Sequence, residues 1–128
     1  MNIRIYYEDT DCGGVVYYAN YLRYFERGRT EYLRARGISP SGLLEKGMLF
    51  VVRKVEVDYL APARYDDLLI LETEVLEISR TSVTFAQSIK KDGLPTLAAR
   101  GNVVLVMVDG NGKPARIPED LKAALLVR

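Results

Sequence analysis

The chain has 128 residues, the size of one domain, and 48% of them are apolar, which supplies a core and excludes a disordered chain. Lys and Arg number 18 against 17 Asp and Glu, so the formal charge of +1 gives no overall field that selects nucleic acid or an anionic membrane. One cysteine and no histidine exclude an internal disulfide, every Ser-His or Cys-His catalytic pair, and the commonest transition-metal ligand.

The N-terminal MNIRIYYEDTD lacks the apolar run of a signal peptide, and no segment reaches the ~20 apolar residues of a membrane helix. The expected location is the cytoplasm, where a lone thiol stays reduced. Residues 2–7, NIRIYY, alternate like a strand, with Ile3, Ile5 and Tyr7 on one face and Arg4 and Tyr6 on the other. An acidic loop containing glycine follows. Over residues 20–36 the period turns helical. Tyr21, Phe25, Gly28 and Tyr32, with Leu22 and Leu33 beside them, make one apolar stripe, while Arg23, Arg27, Glu31 and Arg34 fall mostly opposite. Gly37 is placed to end this helix, which at ~1.5 Å per residue would be ~25 Å long and hence a central element.

Residues 39–47, SPSGLLEKG, suggest a short helical turn with Ser and Pro at its start. Over residues 49–59, Leu49, Val51, Val55, Val57 and Tyr59 share one face and Lys54, Glu56 and Asp58 the other, the pattern of a half-buried strand. Residues 68–78, 82–90 and 97–108 make three more strands. KKDGLP marks a hairpin between the last two, and DGNGKP stops the last. Pro118 opens a closing helix in PEDLKAALL. This order predicts a single α+β domain over residues 1–128: a long central helix wrapped by a curved antiparallel five-stranded sheet, the shape called a hotdog. One helix covers neither both faces nor the edges of such a sheet, so dimerisation into a continuous sheet is expected.

The chemistry-bearing stretch is YYEDTDCGGVVYYANYLRYFERGRTEYLR, residues 6–34. Glu8, Asp9 and Asp11 offer oxygen ligands but lack the spread and closing glutamate of an EF-hand loop, so no metal is expected. Cys12 has neither a histidine nor a second cysteine to support it and reads as a buried or incidental thiol. The three carboxylates stand too far ahead of the helix for all of them to cap it. A Gly-Gly pair before a helix lets backbone approach a ligand and leaves N–H groups free. A carboxylate beside such donors can attack, or activate water, while the donors hold an oxyanion.

This stretch resembles the signature of the 4-hydroxybenzoyl-CoA thioesterase superfamily, and within it the YbgC-like acyl-CoA thioesterases. Asp9, Asp11, Gly14, Val16, Tyr17, Asn20, Tyr21, Glu26 and Arg29 stand in the order of D-x-D-x-x-G-x-V-[YFW]-[HY]-x-N-Y and the Glu- and Arg-containing helix after it. YLAPARYDDLLILET, residues 59–73, is similar to the family's strand junction. The resemblance implies hydrolysis of an acyl-CoA to free acid and CoA by a homodimer or homotetramer. It implies no metal or organic cofactor, no nucleic-acid partner and no integral membrane association. It makes Asp11 the catalytic carboxylate, attacking the thioester or activating water, and the Tyr18 N–H an oxyanion donor. Asp9 would hold the loop, and Gly14, Val16 and Tyr17 would sit at the substrate. Glu26 matches a position that contacts the far end of the acyl group, and is otherwise an exposed partner of Arg23, Arg29 or Thr30. Phe50 and Val51 line the acyl pocket or serve the core. Arg80 and Ser82, in ISRTSV, resemble a nucleotide-binding edge, with Lys90 and Lys91 as alternatives. Tyr18 departs from the subgroup, which usually has histidine there. Rival readings are a thioesterase for 4-hydroxybenzoyl-CoA or another aryl-CoA, and a non-catalytic module that binds acyl-CoA or acyl carrier protein. The intact Asp11 favours an enzyme.

Overall fold

The computed structural model describes residues 1–127. Strand β1 (Asn2–Arg4) leads to helix α1 (Asn20–Arg34) and the short α2 (Pro40–Glu45). Four long strands follow, β2 (Leu49–Tyr59), β3 (Leu68–Ile78), β4 (Ser82–Lys91) and β5 (Leu97–Val108), and then helix α3 (Glu119–Leu125). The strands pair antiparallel in the spatial order β1-β3-β4-β5-β2, and α1 lies against one face, as the hydrophobic periods predict. Gly37, at φ 74, ends α1, with the Ile38 N–H donating to the Leu33 carbonyl at 3.0 Å. Ser39 caps α2 by accepting the Gly42 N–H at 3.0 Å, with Pro40 in its first turn.

Two expectations are corrected. The first strand is shorter than NIRIYY, and Tyr7, expected on the buried face, is 78% exposed in a 3-10 turn over Tyr7–Asp9. The Asp9 carboxylate accepts the Tyr6 N–H at 2.8 Å and turns the chain off the sheet. In β2, the apolar residues do not share one face. The pairing with β5 shifts between Val52 and Lys54, leaving Arg53 as an extra residue that exchanges the faces. An added Cβ at Gly101 would meet Phe25 of α1, so Gly101 faces the helix, and Val55, Val57 and Tyr59 pair on that side. Before the bulge it is Phe50 and Val52 that face the helix, opposite Met107 and Leu105, while Leu49 and Val51 lie on the other face. Nor is β2 half-buried: it is the long edge strand, and only Phe50 and Val57 are partly covered.

The core divides in two. One cluster, around Ile5, Tyr24, Phe25, Leu69 and Ile89, lies under the start of α1. The other, around Leu33, Phe85, Val103, Met107 and Leu125, lies under its end and is closed by α3. Between them runs a polar belt. The Gln87 side-chain amide donates to the Phe25 carbonyl at 2.8 Å and lies 2.9 Å from the Thr73 hydroxyl, and its oxygen accepts from Arg29 at 3.1 Å. Gly28 lets the helix come down on this belt. A Cβ there would collide with Leu71 and lie 2.9 Å from both the Gln87 amide nitrogen and the Thr73 hydroxyl.

Tyr24 is 1% exposed, and its hydroxyl is buried without a hydrogen-bond partner. Burial, reinforced by the negative charge of Asp9, holds its pKa above the ordinary 10.0.

Gly28→Val should lower the unfolding free energy by about 3 kcal/mol in urea titration, because it forces a branched side chain into the helix–sheet contact. Tyr24 should also shape the alkaline limb of stability. The folded state keeps the phenol neutral above the unfolded value of 10.0, so its contribution is complete below that pH and is lost as pH rises beyond it. Thermal melts between pH 8 and pH 11.5 should show stability falling above pH 10, with a shallower fall in Tyr24→Phe.

Candidate active site

The acidic loop is a small hairpin rather than an open turn. Thr10 bridges to Val16, the Asp11 N–H donates to the Val15 carbonyl at 2.9 Å, and the Gly14 N–H donates to the Asp11 carbonyl at 3.0 Å. Gly14 supplies the φ of 78 that this tight return requires. Val16 is buried and ties the hairpin to the body through its N–H, which donates to the Ala63 carbonyl at 2.8 Å. Val15 bridges to Arg64. These anchors fix Asp11, which is exposed at the tip. Its Oδ1 accepts the Gly13 N–H at 2.8 Å, and among the described residues its Oδ2 has no partner.

Asp9 organises the other flank. Its carboxylate holds Tyr6, while its carbonyl accepts the Tyr17 N–H at 3.0 Å and the Asn20 side-chain amide at 2.9 Å. Asp9 and Asp11 are thus engaged with different stretches of backbone.

The chain then turns into α1 through Tyr17, whose carbonyl accepts the Asn20 N–H at 2.9 Å. Among the described residues the N–H groups of Tyr18 and Ala19 have no acceptor, and α1 has no side-chain cap. They are the unsatisfied donors that every helix start leaves, and they carry the positive end of its dipole. The Tyr59 hydroxyl steadies this turn by donating to the Tyr18 carbonyl at 3.3 Å, and its ring meets Tyr18 edge-on at 6.1 Å and Tyr21 at 5.4 Å. Tyr21 in turn accepts the Ala63 N–H at 3.3 Å. The neighbouring Tyr18 hydroxyl raises the Tyr17 pKa, and burial raises those of Tyr21 and Tyr59, so all three hydroxyls are neutral at physiological pH. Val16, Tyr18, Tyr21, Tyr59 and Pro62 border a shallow cavity of about 280 Å³.

Glu26 and Phe50 meet in a different place. With Arg29, Thr30, Leu43 and Leu105 they line a cavity of about 230 Å³ between α1, α2 and the first half of β2. Val51 does not join them, since it points to the opposite face of the sheet. Arg29, which stands in the family motif and was expected as an exposed partner of Glu26, is instead buried. It is 8% exposed, its only hydrogen bond within the described residues is the one to Gln87, and burial lowers its pKa while Glu26 opposes that shift. The signal was present, because Arg29 stands four residues after Phe25 and so lies on the apolar stripe.

Arg80 and Ser82 sit at the β3–β4 turn, where the Ser82 N–H donates to the Ser79 hydroxyl at 3.0 Å. Ser82 pairs with Val106, next to the Leu49–Val108 end of the sheet, so this turn lies away from Tyr18 within one protomer. Lys91 lies 3.5 Å from Asp67 and Lys90 lies 3.9 Å from Glu72. A hollow of about 660 Å³ is on the sheet face remote from α1, between Glu56, Asp58, Glu72, Glu74 and Arg100, and touches none of the loop residues. No helix among the described residues is long and apolar enough to cross a membrane.

Comparison with known proteins agrees with this geometry. The chain is 45% identical over 124 residues to the acyl-CoA thioesterase YbgC of Haemophilus influenzae, covering 95% of this chain and 90% of that one. The acyl-CoA thioester hydrolase YbgC of Escherichia coli is 44% identical over 122 residues, with 94% and 90% covered. A hypothetical protein from Aquifex aeolicus superposes with a TM-score of 0.91 at 32% identity, over 98% of this chain and 97% of that one. A 1,4-dihydroxy-2-naphthoyl-CoA thioesterase from Synechocystis, at 22% identity and a TM-score of 0.91 over 98% and 93%, shares the fold. Residues 6–125 match the Thioesterase-like superfamily, and with the hotdog architecture and the relatives above this establishes that the chain belongs to that family.

Proposed function

We propose that this protein hydrolyses acyl-CoA thioesters to a free acid and CoA, with Asp11 as the catalytic carboxylate and the Tyr18 N–H as the oxyanion donor. The observation that carries the reading is the pair of unsatisfied N–H groups at Tyr18 and Ala19, presented at the start of α1 seven residues after an anchored carboxylate with one free oxygen. The thioester carbonyl oxygen accepts from the helix start, where developing negative charge is stabilised by preorganised donors. Asp11 either takes a proton from an attacking water or adds to the carbonyl carbon itself to give an anhydride that water then opens. Both routes break the carbon–sulfur bond, release CoA as the thiol and leave the acyl group as the acid. Because Tyr18 acts through its backbone, the absence of a histidine at this position leaves the donor in place. The acyl-CoA thioesterase activity of the YbgC relatives supports the same reaction class.

The site is completed by a second copy. One end of β2 carries Tyr59, in contact with Tyr18, and the other carries Phe50, in the Glu26 cavity. Within a protomer, Tyr18 and Glu26 are separated by ~12 Å along the helix at the usual rise. Antiparallel pairing of the free β2 edges about a two-fold axis sets the Tyr59 end of one protomer against the Phe50 end of the other. Asp11 and Tyr18 then face Glu26 and Phe50 of the partner subunit. The Arg80 turn, at the Phe50 end of the sheet, comes to the same site and offers its cation to the nucleotide end of CoA.

Asp11→Asn should lower kcat on the best acyl-CoA by about 10²–10⁴ with KM changed only a few-fold, measured by release of free thiol. Turnover near the wild-type rate would refute the assignment. Subunit complementation tests the shared site. Asp11→Asn and Glu26→Trp, the latter filling the cavity, should each be nearly inactive as pure proteins. Co-refolded in equal amounts they should recover roughly a quarter of wild-type sites, since each mixed dimer regains one intact site. No recovery, with mixed dimers demonstrated by mass spectrometry, would place the whole site within one protomer.

A further inference from the structure

The Glu26 cavity has an unusual floor. A guanidinium has five N–H donors in a rigid fork, and burying it is costly unless they are used. Arg29 is 8% exposed, yet among the described residues its one hydrogen bond is Nη1 to Gln87 Oε1 at 3.1 Å, and no carboxylate lies within ion-pair distance. Among the described residues the one buried side-chain polar atom without a partner is the Tyr24 hydroxyl, so the remaining nitrogen atoms of Arg29 are not sealed in protein. They border the open space of the cavity that Arg29 lines. Gln87 cannot reorient to absorb them, because its amide nitrogen is held by the Phe25 carbonyl and the Thr73 hydroxyl. The walls of the cavity are otherwise largely apolar, with Leu33, Leu43, Phe50 and Leu105, and Glu26 stands on the same helical face three residues before Arg29.

We propose that Arg29 is a specificity-determining residue whose free N–H groups hydrogen-bond an oxygen atom at the far end of the acyl group, so that the preferred substrate is a small acyl-CoA with a hydroxyl at its tip. This rests on the hydrolase reading above and names its substrate class. A cavity of about 230 Å³ suits a short acyl group. Arg29 only donates and Glu26, when ionised, only accepts. A hydroxyl satisfies both, its oxygen accepting from Arg29 and its proton going to Glu26. A terminal carboxylate satisfies Arg29 but repels Glu26, and a methyl leaves the guanidinium unpaired.

Three matched thioesters test this: hexanoyl-CoA, 6-hydroxyhexanoyl-CoA and adipoyl-CoA, compared by kcat/KM with wild type. Equilibrium binding of the same three to Asp11→Asn protein reads the preference without turnover. The hydroxy substrate should be favoured over hexanoyl-CoA by about 10- to 100-fold, in binding as in kcat/KM. Arg29→Met should erase that ratio through loss of affinity for the hydroxy compound. Arg29→Lys, which keeps the charge but not the fork, serves if the methionine variant fails to fold by thermal melt, and should reduce the ratio severalfold. Glu26→Gln should raise adipoyl-CoA relative to the hydroxy compound. Equal treatment of the three thioesters by wild type, or a ratio that survives the substitutions at Arg29, overturns the proposal. Loss of all turnover in wild type with the binding preference intact would overturn the hydrolase reading and leave the role of Arg29 standing.

Discussion

The contact on which the rest of this structure depends is the close approach of α1 to the sheet at Gly28. Only hydrogen fits between the helix axis and the side chains of Leu71, Thr73 and Gln87, and Gln87 uses that closeness to hydrogen-bond the Phe25 carbonyl. The helix is thereby fixed in height at its midpoint by a polar bond, while two separate apolar clusters hold its two halves. Each half then does a different task. The N-terminal half, clamped by Tyr21 and Tyr24, holds the start of the helix beside the acidic hairpin. The C-terminal half, with α2 and β2, encloses the cavity of Glu26 and Arg29. A small slide of the helix would disturb both places at once, and the hydrogen-bonded belt resists such a slide better than apolar packing alone, because its geometry is directional.

The hairpin shows how acidic residues close in sequence take different work. Asp9 spends its carboxylate and its carbonyl on backbone and side-chain donors from Tyr6 to Asn20, and so behaves as a structural brace. Asp11 is held by one oxygen and offers the other. The tyrosines around them contribute rings and neutral hydroxyls rather than charge. With Tyr59 bonded to the Tyr18 carbonyl, the Tyr18–Ala19 peptide unit at the start of α1 is held from its acceptor side, and its N–H, that of Ala19, has no acceptor among the described residues.

Much of this was legible in the residues. The helix, its Gly37 stop, the Ser39-Pro40 start of α2 and the four long strands follow from periods and turn chemistry, because each is dictated locally. The proposed roles of Asp11 and Tyr18 rest on a long motif resembling a known family. What escaped depends on non-local facts. The exchange of faces in β2 comes from one unpaired residue, Arg53, and nothing in LFVVRKVEVDY distinguishes a bulge from plain alternation. The exposure of Tyr7 follows from a side-chain bond made by Asp9, which competes with the strand. Arg29 looked like one more surface arginine among several on α1, although its spacing from Phe25 put it on the buried stripe. Its partner, Gln87, stands 58 residues away, and only the fold brings them together.

The extra residue in β2 has a further consequence. By exchanging faces midway, it brings Val55, Val57 and Tyr59 to the side of Phe50 and Val52 and leaves Leu49 and Val51 as the apolar residues of the opposite face. An edge of eleven residues with little charge in its first four positions is a template for any extended chain, not only for a correct partner. Arg53, Lys54, Glu56 and Asp58, from the middle of the strand onward, act as gatekeepers against indiscriminate strand addition. The uncharged first half of that strand is therefore where the sheet edge is most open to the addition of another strand.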